Sequence, residues 1–341
     1  MKKSILGLAA LALLASCNND EELNSLAPEA ITFGNPFVDN ATRAIDPSYG
    51  TKKVDSFQVW GTVAGNQNQS NPILVYNGAT VSRGDKEYGV AWNCTQKEYW
   101  IPSATYQFIA IANATSVAPT TGMPTSISFT NDGTKDLILS KVTADGATYG
   151  AKTVTTNPQS VPETGVNTNK IVDFTFGHLL SKVKFQFTNN SGSDKYTYKI
   201  SNVQVKNAFK TGTFNISGTQ GWTGQATAND FVLNFGNAVA ADATAENVAA
   251  QSIANGASAT SNYERLLIPG NQTLTITFTE TLLYNGTAIS SFDREKTLEH
   301  NFAQNGNYTI TATLKPGNEI SFTITNVGPW TPGEGGGNVN L

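Results

Sequence analysis

Along most of this chain the apolar side chains recur at every second residue. Val183, Phe185 and Phe187 alternate with Lys182, Lys184, Gln186 and Thr188, so an extended strand over this stretch has one dry face and one wet face. The same alternation runs through Phe57, Val59 and Val63, through Leu274-Ile276-Phe278, through Tyr308-Ile310-Ala312-Leu314 and through Ile320-Phe322-Ile324. The intervening residues are mostly Thr, Ser and Gln. A period of two cannot line one side of a helix, and no segment of ordinary helical length carries an apolar stripe. The best helix candidate, Ala238 to Ala259, has too few large apolar residues to pin a face and reads as a surface loop with at most a short helix. Half-wet strands separated by polar turns belong to antiparallel sheets packed on a core. The fold class is therefore all-β, a sandwich rather than a parallel βαβ arrangement.

At 341 residues the chain exceeds what one core usually supports, and domains of about 150 residues are the expectation. Between Lys152 and Lys170, Thr, Asn, Pro and Gly accumulate without alternation, and strand signals resume at Ile171. This places domains over 44–170 and 171–341. Charged residues are 14 % of the chain and the net charge is -4, with no basic run able to neutralise a row of phosphates, so nucleic acid is not an expected partner.

The N-terminus carries an export signal. Lys2 and Lys3 precede an apolar run from Ile5 to Leu14, and Leu14-Ala15-Ser16-Cys17 forms a bacterial lipobox. The run is about half of the ~20 residues needed to cross a bilayer. Residues 1–16 are thus a signal peptide, cleavage falls before Cys17, and the Cys17 thiol carries lipid. Several acyl chains make such an anchor stable. The acidic cluster from Asp20 to Glu22 opens a tether reaching about Glu29 and resembles the surface-export signal of Bacteroidetes lipoproteins. The expected location is the outer membrane, surface-exposed. With Cys17 acylated, Cys94 has no partner in the chain and reads as a small buried residue.

Catalytic patterns are missing. His178 and His300 are the two histidines, and neither stands in a metal-binding or nucleophile-activating spacing. Nucleophile elbow, phosphate loop and dinucleotide fingerprint are absent. No enzyme activity, metal or cofactor is expected, although two carboxylates brought together by the fold would suffice for a glycosidase. His178, beside Phe174, Phe176, Leu179 and Leu180, reads as a hydrogen-bonded structural histidine. An alternative function is glycan binding by a non-polymerising surface lipoprotein, with Trp60, Trp92, Trp100, Trp222 and Trp330 as stacking candidates.

Several landmarks, in order, resemble the fimbrillin family of Bacteroidetes, lipoprotein precursors of pilus subunits and their relatives. They are the lipobox, Ile31-Thr32-Phe33, Thr42-Arg43-Ala44 and Phe57-Gln58-Val59-Trp60-Gly61, then the segment from Phe176 to Val183, Leu267-Ile268-Pro269, Asn305-Gly306-Asn307-Tyr308 and Val327-Gly328-Pro329-Trp330. The resemblance implies two transthyretin-like antiparallel β-sandwich domains and, in polymerising members, assembly by strand exchange after proteolysis. Arg43 sits in a polar stretch with no strand pattern, where a protease finds exposed chain. An arginine-specific protease would cut there and leave Ala44 as the new N-terminus. The excised 17–43 segment includes Ile31 and Phe33, a short first strand whose loss uncovers an edge. Ile320, Phe322, Ile324, Val327 and Trp330, followed by the glycines from Gly333 to Gly337, form the candidate donor strand. The partners implied are other pilin subunits, the outer membrane through the lipid before processing, the protease, and a host or bacterial surface receptor.

Overall fold

The computed structural model describes residues 29–38, 54–64, 72–85, 90–143, 146, 148–240, 248–317 and 320–329. Among them there are 23 strands and no helix. In chain order the first half holds β1 (Phe33–Val38), β2 (Ser56–Ala64), β3 (Ile73–Ser82), β4 (Asn93–Cys94), β5 (Thr105–Ala112), β6 (Ser116–Ala118), β7 (Ser126–Thr130), β8 (Ile138–Ser140), β9 (Lys152–Thr156) and β10 (Pro162–Thr164). There follow β11 (Val172–His178), β12 (Ser181–Asn189), β13 (Tyr196–Lys206), β14 (Phe209–Asn215), β15 (Gly221–Thr227), β16 (Val232–Gly236) and β17 (Ala238–Val239). The last six are β18 (Ser258–Ser261), β19 (Arg265–Leu267), β20 (Gly270–Tyr284), β21 (Thr287–Phe302), β22 (Gly306–Leu314) and β23 (Ser321–Pro329).

The first sheet has nine strands in the order β1-β11-β8-β5-β2-β3-β4, with β9 on β5 and β10 on β9. It curls around its own core, because Phe33, Phe57, Tyr76, Phe108, Phe174 and Phe176 all come from this one sheet. The second core lies between two sheets, β17-β18-β12-β22-β23 with β19 on β12, and β16-β13-β20-β21. There Phe185, Phe187, Phe235 and Phe278 pack together, so the alternation read along β12 and β20 does point its apolar face inward. Pairing is mostly antiparallel. Two neighbours are parallel, β1 with β11 and β12 with β22.

A fourth sheet, β15-β14-β7-β6, draws strands from both halves of the chain. Thr130 to Ser126 of β7 pair with Thr211 to Asn215 of β14. Beneath it lies a third apolar cluster that joins the outer face of the first sheet, through Trp60, Ile109, Ile111 and Leu139, to Phe214, Leu266 and Ile268. This explains why β5 reads as a continuous apolar run: Phe108 and Ala110 face the first core while Ile109 and Ile111 face the third. Similarly, β11 begins just past residue 170 but lies in the first sheet.

The candidate assembly site

The first strand is held on both edges. Toward β11 the register is Phe33 with Val172 and Gly34 with Asp173, shifting before Phe37 meets Thr175; the shift spans Pro36, which has no N–H to give to a ladder. Val172 also donates its N–H to the Thr32 carbonyl at 2.9 Å. Along the other edge Ile31 donates to the Glu98 carbonyl at 2.8 Å, Trp92 donates to the Phe33 carbonyl at 2.9 Å, and Trp100 donates to the Glu29 carbonyl at 3.0 Å. The segment from Trp92 to Trp100 in turn leans on β3, where Thr95 donates to the Thr80 carbonyl at 2.9 Å. β1 therefore bridges the two ends of the curled sheet and closes it.

Phe33 of β1 and Ile31 just ahead of it complete the core. Phe33 is 0 % exposed and Ile31 is 4 % exposed. The Phe33 ring stands 5.1 Å from Tyr76 and 5.3 Å from Phe108, both edge-on, and 6.1 Å from Phe174, stacked. At the next residue space is tight: a β-carbon on Gly34 would come within 3.1 Å of the Val90 carbonyl oxygen and 3.4 Å of Ile171 Cγ2 and Trp92 Cδ1. Burial pushes the Tyr76 phenol well above its ordinary range.

β1 ends at Val38 and the next described residue is Val54. Arg43 and Ala44 fall in the intervening segment, and they lie outside the described residues, as do Cys17 and Trp330. The chain connection between β1 and the rest of the protein nonetheless runs through Arg43.

Toward the other end of the chain, β23 pairs, among the described residues, with β22 alone at the edge of its sheet, Phe322 against Ala312 and Ile324 against Ile310. Ile320, Phe322 and Ile324 are half-buried against the second core, with Phe322 edge-on to Phe278 at 6.5 Å. Val327 is 54 % exposed. Of the four donor candidates that are described, Phe322, Ile324 and Val327 lie in β23 and Ile320 directly precedes it, with three side chains turned toward home and one toward solvent.

Other residues singled out in the sequence have structural roles. Trp60, Trp92 and Trp100 are buried in the cores, and Trp222 is half-buried with its indole N–H donating to the Leu179 carbonyl at 2.8 Å, so none of these four offers a flat exposed face for a sugar. Cys94 is half-buried, and burial pushes its thiol up. His178 is buried with its Nδ1 2.5 Å from Asp136 Oδ2. Burial pushes the Asp136 carboxyl up, while His178 and Lys182 pull it the other way. Lys182, on the face of β12 read as wet, is 2 % exposed and pairs with Glu264 at 3.3 Å. The alternation misplaces it because the start of β12 is covered where the two halves meet. Sequence reading missed Asp136 and Glu264 altogether, since partners so distant in the chain leave no local signal. Among the described residues no group of three or more His, Cys, Asp or Glu is arranged for a metal.

Among the described residues the fold is all-β, with the first described strand closing its sheet and the last described strand lying at a sheet edge. The sequence profile of the Fimbrillin-like family matches residues 42–330, and the chain belongs to that family. The matched span begins after β1. Among solved structures, a fimbrial protein from Bacteroides vulgatus is 14 % identical over 89 % of this chain and 99 % of that one, with a TM-score of 0.56. A candidate cell adhesion protein from Bacteroides ovatus is 15 % identical over 89 % of this chain and 97 % of that one, with a TM-score of 0.50. At such identities the likeness is one of fold. No curated protein matches the chain.

Proposed function

We propose that this protein is a non-enzymatic structural subunit of a Bacteroidetes-type fimbrium, exported as a lipoprotein on Cys17, cleaved after Arg43 and polymerised by strand exchange to mediate cell adhesion. The observation that carries the reading is the contrast within β1: it is bonded on both edges and plugs an aromatic core, yet its covalent link to the rest of the fold passes through an arginine in a polar segment. Removing residues 17–43 opens a groove lined by apolar rings and by unpaired backbone groups on β11 and on the Trp92–Trp100 segment. Such a groove is costly to leave in water, and an added strand relieves it. Burying one Phe or Ile contributes roughly 1.5 to 3 kcal/mol.

The donor is β23 with the residues that follow, Ile320, Phe322, Ile324, Val327 and Trp330, offered by another subunit. Two sandwiches, 44–170 and 171–341, form each subunit, with β11 lent to the first sheet. Before processing, the lipid on Cys17 holds the molecule in the outer membrane. After it, Ala44 is the N-terminus and the subunit belongs to the fibre, where a host or bacterial surface receptor is its adhesive partner. Incubation of purified precursor with an arginine-specific protease gives ladders on gels and filaments by electron microscopy, and Arg43→Ala abolishes both. Surface material that is monomeric, uncut and still acylated overturns the proposal.

A further inference from the structure

Among the described residues two pairs of neighbouring strands run parallel, β1 with β11 and β12 with β22, and the chain joins them almost directly. β11 ends at His178 and β12 begins at Ser181. The two residues between them span at most about 7 Å when extended. They have no slack to give. Leu179 and Leu180 are 0 % exposed. Leu179 donates its N–H to the Leu137 carbonyl at 3.0 Å, Trp222 donates its indole N–H to the Leu179 carbonyl at 2.8 Å, and Asn305 donates to the Leu180 carbonyl at 3.0 Å. The start of β12 is held sideways as well. Lys182 pairs with Glu264 at 3.3 Å, and the Ser181 hydroxyl donates to the Ala303 carbonyl at 2.8 Å. Tension carried by the chain from the first half to the second thus enters β12 at its N-terminal end, with no loop that could pay out first.

From that point the pairing with β22 is unbroken. Lys182 stands opposite Asn307, and the register continues residue by residue to Asn189 opposite Leu314. The C-terminal end of β22 therefore lies at the end of the ladder remote from the connector. In a mostly antiparallel fold a parallel neighbour requires a long return of the chain, and what it provides is direction. When β12 is drawn by its N-terminus and β22 by its C-terminus, the two strands are pulled in opposite senses along one axis. Every pair in the ladder is then loaded at once, in shear. An antiparallel neighbour would bring its C-terminal end beside the connector, and the same load would peel the pairs apart one at a time.

We infer that β12 and β22 form the load-bearing spine of the subunit, resisting tension applied between the first half and the chain that follows Leu314. The source of that tension rests on the fimbrial reading above: in a fibre the first half is gripped at its groove beside β11, and the second by the segment after β22. The inference adds which contact bears the load and why that contact is parallel.

The test stretches single molecules of the uncut full chain in optical tweezers, with Cys17→Ser and Cys94→Ser so that handles attach only to two introduced cysteines. Thr168→Cys with Lys315→Cys, exposed positions ahead of β11 and just past β22, loads the ladder in shear. Asn190→Cys with Lys315→Cys, exposed positions at the adjacent ends of β12 and β22, opens the same ladder from one end. Forced unfolding reports the barrier in the direction pulled. At equal loading rate the first pair should rupture at a severalfold higher force, and its first event should release residues 182–314, read from a gain in length of about 3.3 to 3.6 Å per residue. Equal forces in the two directions overturn the inference. So does a first event in the shear direction that frees only residues 169–181, because the weak point then lies in the first sheet. These molecules are single and uncut, so a failure to form filaments after cleavage overturns the proposed function without touching this measurement.

Discussion

A carboxylate with nothing exposed, set against an imidazole 1 % exposed, is an unusual thing to place where two halves of a chain meet. Asp136 and His178 touch at 2.5 Å, and Lys182 and Glu264 form a second buried pair at 3.3 Å. Removing one member of such a set leaves the rest uncompensated in a poorly solvated site. Asp136→Ala is expected to lower stability by about 3 to 5 kcal/mol, read as a shift of the urea midpoint at unchanged slope. His300 belongs to a different case. Its ring lies edge-on to Phe302 at 4.8 Å and to Tyr308 at 5.3 Å, and burial pulls its pKa below 6.5. The folded state prefers the neutral ring, so the contribution is full above 6.5 and is lost as pH falls through the lowered folded value. Urea midpoints measured from pH 7.5 downward should decline for the native chain, and His300→Gln should decline less over the same range. Of the buried Asp136–His178 pair only His178 stood out in the sequence, through its apolar neighbours, because nothing in a linear pattern reveals which distant carboxylate will meet it.

Among the elements, β1 is short, carries Gly34 and Pro36 inside it, and would be a poor strand by propensity alone. It persists because neighbours on both edges supply hydrogen bonds and three aromatic rings supply a socket for Phe33. Hydrogen exchange gives a direct reading of this. The amides of Val172, Trp92 and Trp100 donate to the carbonyls of Thr32, Phe33 and Glu29, in β1 and the residues just ahead of it, and with residues 17–43 removed they should exchange at least about tenfold faster, as expected when a protecting strand is lost. Amides of β22, which sits between β12 and β23, should keep their protection under the same treatment. Unchanged exchange at Val172, Trp92 and Trp100 would show that β1 does not close the sheet. The alternation in Ile320-Phe322-Ile324 correctly marks β23 as a strand with one apolar face. It says nothing of which strand lies beside it, and the parallel neighbours β12 and β22 are likewise invisible to a local pattern.

For the molecule as a whole, the decisive feature is the fourth sheet with the cluster beneath it. β7 from one half pairs with β14 from the other, and Leu266 and Ile268, both 0 % exposed, pack with Ile109 and Leu139 of the first sheet. Two cores joined in this way should unfold together. Calorimetry should give one transition for the native chain, whereas Ile268→Ala, costing about 2 to 5 kcal/mol, should lower it or split it in two. From sequence alone came the all-β class, the strand positions where period two is clean, and the family. Those features are local or compositional, set by the pleat and by short motifs that need no distant partner. Tertiary structure alone decided that one sheet curls on itself and that its first strand closes it. It also decided that Lys182 is buried and that the halves share a sheet. Burial depends on what arrives at a face from elsewhere in the chain, and a period of two says only that a face exists.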